Sequence, residues 1–154
     1  MFLYLVQHGE AQREEEDPAR DLTDQGLRDI TRVANYAGKF NLAVSQIFHS
    51  GKTRAASTAK ILAASLHPPQ GVSETTGLAP LDDPGIWAGR LATMDKDVML
   101  VGHLPHLARL GALLLTGDMA KNVINFKMAG LVCLGRRAEG SWALEWMILP
   151  ALIP

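Results

Sequence analysis

Two apolar runs of strand length, each ending on a histidine beside a glycine, constrain this chain more than any other feature. Phe2-Leu3-Tyr4-Leu5-Val6 stops at Gln7-His8-Gly9, and far downstream Asp97-Val98-Met99-Leu100-Val101 runs into Gly102-His103. In α/β proteins, ligand sites lie just beyond the carboxyl ends of sheet strands. One histidine in such a place reads as a packing residue. Two in matched contexts imply one shared pocket, with Gly9 letting the backbone turn or a ligand approach closely.

Between the two runs, strand and helix patterns alternate. A polar stretch covers residues 10–21, and the acidic run Glu14 to Asp17 within it reads as a solvated loop that disfavours highly anionic small molecules. Leu27, Ile30, Val33 or Ala34, and Ala37 then recur at helical spacing, which predicts a helix from Thr23 or Asp24 to Phe40 with Thr23 as N-cap. Ser45 to His49 is expected as a short strand, Ala55 to Leu66 as a helix and Gly71 to Glu74 as a further strand. Residues 77–90 read as a loop with a short helix near Ile86 to Leu91, and a helix follows from Pro105 or His106 to Leu115. Two strands close the chain, 130–135 and 142–148; the second alternates Trp142, Leu144 and Trp146 with Ala143 and Glu145, as a half-exposed strand does. The alternation predicts an α/β fold: a single three-layer α/β/α domain whose mostly parallel sheet has an antiparallel hairpin edge.

Composition narrows the function classes. The chain has 154 residues and a net charge of −1, so bulk charge draws it neither to nucleic acid nor to an acidic membrane. The one cysteine, Cys133, excludes an internal disulfide and reads as a small core residue. No stretch approaches the length of a membrane span. The first apolar run is too short for a signal peptide, the apolar tail from Met147 reads as a docked terminus, and a cytoplasmic location is expected. CxxC, HExxH and P-loop patterns are missing, so no metal or cofactor is expected.

Three strand-to-helix junctions carry reactive residues: His8-Gly9, Ser50 to Arg54, and Gly102-His103. In a doubly wound sheet such junctions share one edge, where helix N-termini present free N–H groups. Arg54 and two histidines added to them make an anion pocket suited to phosphate. Lacking a P-loop and a carboxylate cluster for Mg²⁺, the phosphoryl acceptor would be a side chain, and histidine can form such an intermediate. His106 reads as a surface residue at a helix start, His49 as a strand end without chemistry, and His67 as a loop residue. Alone, Arg54 would read as a surface arginine; Arg20 pairs with a neighbouring carboxylate or serves the phosphate.

At this point the sequence resembles a known family. Gln7-His8-Gly9-Glu10-Ala11 resembles the Arg-His-Gly signature of the histidine phosphatase superfamily, whose fold is phosphoglycerate mutase-like. Arg20 to Gly26 resembles its Arg-x-Leu-Thr-x-x-Gly segment, Ser50 to Ala59 its Ser-x-x-x-Arg-Ala-x-x-Thr-Ala block, and Val101-Gly102-His103-Leu104-Pro105 its second-histidine block. The matches run in order along nearly the whole of residues 1–154, and the short spacing is most similar to the SixA-type phosphohistidine phosphatases. The resemblance implies that His8 is the nucleophile, that Arg54 and His103 hold phosphoryl oxygens, and that Arg20, Gln7 and Gly9 line the phosphate site. It also implies an acid after the Arg54 helix, for which Glu74, Asp82 and Asp83 are the nearest candidates.

The departure is Gln7, where the family has arginine. Glutamine donates hydrogen bonds but carries no charge and makes no bidentate fork. Three outcomes stay open: a working enzyme, a slow one, or a phosphate-binding module without turnover. Lys52 could replace part of the missing charge or be an exposed lysine. The expected substrate is a phosphohistidine-bearing protein of a phosphorelay or sugar-transport carrier, since an imidazole leaves without a strong acid. The alternative is a small phosphorylated molecule; no nucleic acid or membrane partner is expected.

Overall fold

A computed structural model describes residues 1–154. Its strands are β1 (Phe2–Gln7), β2 (Gln46–His49), β3 (Val72–Glu74), β4 (Val98–Gly102), β5 (Leu131–Arg136) and β6 (Trp142–Ile148). The helices are α1 (Asp24–Ala37), α2 (Thr53–Leu66), α3 (Pro84–Thr93) and α4 (His106–Thr116). One sheet carries the strands in the order β3-β2-β4-β1-β5-β6. β3, β2, β4 and β1 are parallel, and β5 and β6 add the antiparallel edge.

β1 up to Val6 and the whole of β4 are apolar because both of their faces are covered. In β1, Tyr4 and Val6 join the core beneath α1 and α2, whereas Leu3 and Leu5 join the core beneath α3 and α4. In β4, Met99 and Val101 face the first core, and Val98 and Leu100 the second. Each large aliphatic side chain buried this way is worth about 1.5–3 kcal/mol, so the two cores hold the middle of the sheet rigid.

The chain leaves β1 toward one face and β4 toward the other, since α1 packs in the first core and α4 in the second. Neighbouring strands whose chains part to opposite faces open a crevice at their carboxyl ends. His8 and His103 stand at that crevice. α1 is fastened beside it: Thr23 caps the helix by accepting from the Gly26 amide at 3.0 Å. Gly26 packs so tightly on the Glu10 backbone that a Cβ would collide with the Glu10 carbonyl.

Two expectations from sequence need correction. Trp142, Leu144 and Trp146 do not keep one alternation, because a bulge shifts the β5–β6 register: Cys133 faces Trp146 but Leu134 faces Leu144. The extra residue, Glu145, sends Trp146 to the first core, with its ring 6.0 Å from that of Tyr4, and Trp142 to the second. His106 is not a surface residue. It is 0% exposed, because α4 lays its first turn against the second core. The remaining elements lie within a few residues of expectation, and Cys133 is buried. The tail docks as expected: Pro150–Leu152 forms a 3₁₀ turn and Arg32 donates to the Ile153 carbonyl at 2.8 Å.

Replacing Gly26 by alanine forces α1 away from the Glu10 backbone. Gly26→Ala should lower unfolding stability by about 1–3 kcal/mol despite alanine's better helix propensity. Chemical denaturation checks this, and an unchanged or raised midpoint would contradict it.

Candidate active site

His8 sits one residue beyond β1. Its amide extends the β1–β4 pairing by donating to the Gly102 carbonyl at 3.1 Å. Its ring Nδ1 lies 2.6 Å from the Gly9 carbonyl oxygen. A carbonyl only accepts, so Nδ1 bears the proton and Nε2 keeps a free lone pair. Gly9 is held in turn by Thr58, whose Oγ1 accepts from the Gly9 amide at 3.0 Å and donates to the Arg54 carbonyl at 2.7 Å. One buried hydroxyl thereby ties the turn after β1 to the first turn of α2.

His103 follows β4. Its ring centroid is 5.0 Å from that of His8, tilted by 52°. Its Nε2 lies 2.6 Å from Ser50 Oγ, while its Nδ1 is buried without a partner. Burial is the main reason that the His103 pKa falls to about 3, and His8, Arg54 and Lys52 push the same way. Burial also lowers the His8 pKa; the Gly9 carbonyl opposes the fall, and Arg54 and Arg20 add to it. Both rings are therefore neutral at physiological pH, and a neutral His8 can act as a nucleophile.

Arg54 enters the site from the first turn of α2, with its Nε buried and unpartnered. Burial, then the charge of Arg20, lowers the Arg54 pKa, so the two guanidinium groups feel each other. Arg20 itself has φ +53° and donates from Nε to the Gln12 carbonyl at 3.1 Å. The chain's ion pair joins Arg13 to Glu16, and neither Arg20 nor Arg54 has a carboxylate partner. Asp21, the neighbour able to neutralise Arg20, instead receives hydrogen bonds from the Leu22 amide and the Ser57 hydroxyl. Two like charges held together without a counter-ion are costly unless an anion joins them. A phosphoryl group, with several acceptor oxygens, suits this arrangement.

The structure brings together His8, Gly9, Arg54 and His103, and Arg20 and Lys52 act on them electrostatically. Gln7 lies beside them with Oε1 buried and unpartnered. Glu74, at the end of β3, lies directly against Gly51 in the turn leading to Arg54. Asp82 accepts from the Ala79 amide at 2.9 Å and Asp83 caps α3 through the Gly85 amide at 2.8 Å. The charges of these two carboxylates oppose the fall in the His106 pKa that burial causes. Sequence reasoning missed what Ser50 and Thr58 do. Both lie in the Ser-x-x-x-Arg-Ala-x-x-Thr block, but their partners His103 and Gly9 lie far off in the chain and no local pattern announces them. His49 accepts from the Gly51 amide through Nδ1 at 3.1 Å, and His67 ends α2 at φ +50°. A groove between Tyr36, Phe40, Trp146 and Leu152 is lined by hydrophobic residues and contains none of the candidate site residues.

The family model described as histidine phosphatase superfamily (branch 1) matches residues 3–100. An uncharacterized protein of Picosynechococcus sp. (strain PCC 7002) is 34% identical over 142 residues, covering 87% of this chain and 84% of that protein. Among solved structures, the protein histidine phosphatase SixA bound to tungstate superposes with a TM-score of 0.85 at 22% identity, covering 98% of each chain. A mycobacterial glucosyl-3-phosphoglycerate phosphatase with VO₃ gives 0.73 at 17% identity, covering 94% of this chain and 97% of that one. A phosphoserine phosphatase of Entamoeba histolytica with phosphoserine gives 0.68 at 17% identity over 95% of both. At these identities the solved structures establish the fold alone.

The buried histidines make a pH prediction. His8, His49, His103 and His106 all have folded pKa values below the ordinary one, with burial the first cause in each. On acidification the unfolded chain therefore takes up protons first. Their contribution is intact above about pH 6.5 and is lost as pH falls from there toward the folded values, at up to ~1.4 kcal/mol per pH unit for each histidine. Melting temperature measured from pH 7.5 to 5 should fall below about pH 6.5. Imidazole NMR signals of His103 should stay at their neutral positions down to pH 6. A protonated His103 at pH 6 would contradict the assignment.

Proposed function

The chain belongs to the histidine phosphatase superfamily, and from that premise we propose that it is a metal-independent phosphatase acting on phosphohistidine of a partner protein. The observation that carries this reading is the His8 ring. Its Nδ1–H is committed to the Gly9 carbonyl and its Nε2 is free, 5.0 Å between ring centroids from His103, among two cations without carboxylate partners.

The reaction has two steps. His8 Nε2 attacks phosphorus in line, an N–P bond forms, and the bond from phosphorus to the leaving group breaks with its electron pair going to that group. The leaving group takes up a proton. Water then attacks phosphorus, the N–P bond breaks, and neutral His8 returns with inorganic phosphate released. Arg54, Arg20 and His103 hold the equatorial oxygens, where charge builds in the transition state. Thr58 and Gly9 keep the nucleophile's turn in place. A leaving imidazole needs only modest proton assistance near neutral pH, whereas an alkoxide needs a positioned acid. Asp82 and Asp83 are engaged by backbone amides, which supports the phosphohistidine substrate.

A second reading, a small-molecule phosphomonoesterase, is favoured by the Glu74 carboxylate against the Ser50–Arg54 turn, where it could serve as the acid. Rapid quench with a phosphohistidine donor tests the nucleophile. Acid-labile phosphate should appear and decay on the parent protein and be missing in His8→Ala. Glu74→Gln separates the substrates. It should change phosphohistidine hydrolysis by less than about threefold, whereas an enzyme built for alkyl phosphates would lose about 10²–10⁴-fold on them. Phosphate bound without label or turnover would move the protein to the binding-module reading.

A further inference from the structure

The site has a neutral side chain where its charge demand is high. Gln7, the last residue of β1, adjoins the nucleophile, and its buried Oε1 has no donor. A phosphoryl dianion contacting Gln7 gains at most the amide N–H groups. Arg54 and Arg20 supply two cations. The turn between β2 and α2 carries a third.

That turn is built to face His103. Gly51 reverses the chain at φ +88°. The Lys52 amide donates to Ser50 Oγ at 3.3 Å, and the same Oγ lies 2.6 Å from His103 Nε2. The Lys52 backbone is thus held two hydrogen bonds from the histidine ring, two residues before Arg54. Its side chain is exposed and has no carboxylate partner within salt-bridge distance. Its charge nevertheless reaches the buried ring, where it disfavours protonation of His103. A lysine carries its ammonium on a flexible four-carbon stem, so it can bend over a group seated between His8 and His103.

We infer that Lys52 closes over the bound phosphoryl group from the open side of the site and supplies the charge that Gln7 does not. The inference rests on the phosphate-site reading above and adds a binding residue to it. It has a consequence that the half-buried Arg54 and Arg20 give less strongly. Lys52 is exposed, so its attraction is screened by salt, over a Debye length of about 8–10 Å at 0.10–0.15 M. Substrate binding should be salt-sensitive in the parent and less so without Lys52.

The test uses inorganic phosphate and tungstate as binding probes, with a phosphohistidine donor for turnover. Lys52→Met should weaken binding of both anions and lower kcat/KM by about tenfold to hundredfold, the range of one charge-assisted hydrogen bond. The plot of log affinity against log salt should flatten. Lys52→Arg should stay within about threefold of the parent, since it keeps the charge. Lys60→Met, an exposed lysine further along α2, is the control and should change neither quantity. Gln7→Arg should recover more activity in the Lys52→Met protein than it adds to the parent. This non-additivity marks two groups serving one oxygen site. Anion affinity and salt slope unchanged in Lys52→Met would overturn the inference. A parent that binds tungstate through Lys52 yet shows no turnover would instead overturn the phosphatase reading and leave the Lys52 contact standing.

Discussion

The parallel pairing of β1 with β4 is the constraint on which the site depends. It runs from Leu3 opposite Val98 to Gln7 opposite Gly102, and the His8 amide adds one more bond to the Gly102 carbonyl. That ladder sets the two histidine rings side by side although most of the chain separates them. The strands are buried on both faces, so their ends move little relative to one another. Because the chain parts to opposite faces beyond them, α1 and α4 wall the crevice instead of filling it. A shift of one residue in this register would carry His8 by about 3.3 Å and part it from His103.

Around that pair the molecule accepts unfavourable electrostatics. Arg54 and Arg20 repel each other, His103 is buried with Nδ1 unpartnered, and Gln7 keeps an orphaned carbonyl oxygen. Such groups lower stability unless a ligand satisfies them, and strained, unsatisfied groups gather where a protein binds or reacts. His106 belongs to a different class. Both of its ring nitrogens are buried and unpartnered, and the charges of Asp82 and Asp83 act on it. It lowers the pKa of His103 only as the last of several influences.

Much of the architecture was legible because its signals are local. Thr23 is an N-cap in the sequence and in the structure, as its hydroxyl can reach an amide three residues on. Strand and helix alternation gave the parallel sheet and its antiparallel edge. The β6 bulge was not legible. Trp142, Leu144 and Trp146 spell a regular alternation, and the extra residue exists only relative to β5. The burial of His106 was equally hidden, since a histidine at a helix start looks exposed until the facing core is known. Ser50 and Thr58 were visible as letters of a block, but their partners, His103 and the Gly9 amide, lie far off in the chain.

By itself the sequence determined which segments become strands and helices, which strand ends carry histidine, and that position 7 lacks a charge. These follow from periodicity, capping chemistry and side-chain identity, each readable within a few residues. The tertiary structure alone decided that β4 inserts between β1 and β2, that Nδ1 of His8 is the protonated nitrogen, and that Lys52 is held near His103. A strand apolar on every position has no polar face to name its neighbour or its register. Only the closing of both cores selects them, and with them the distances on which the chemistry rests.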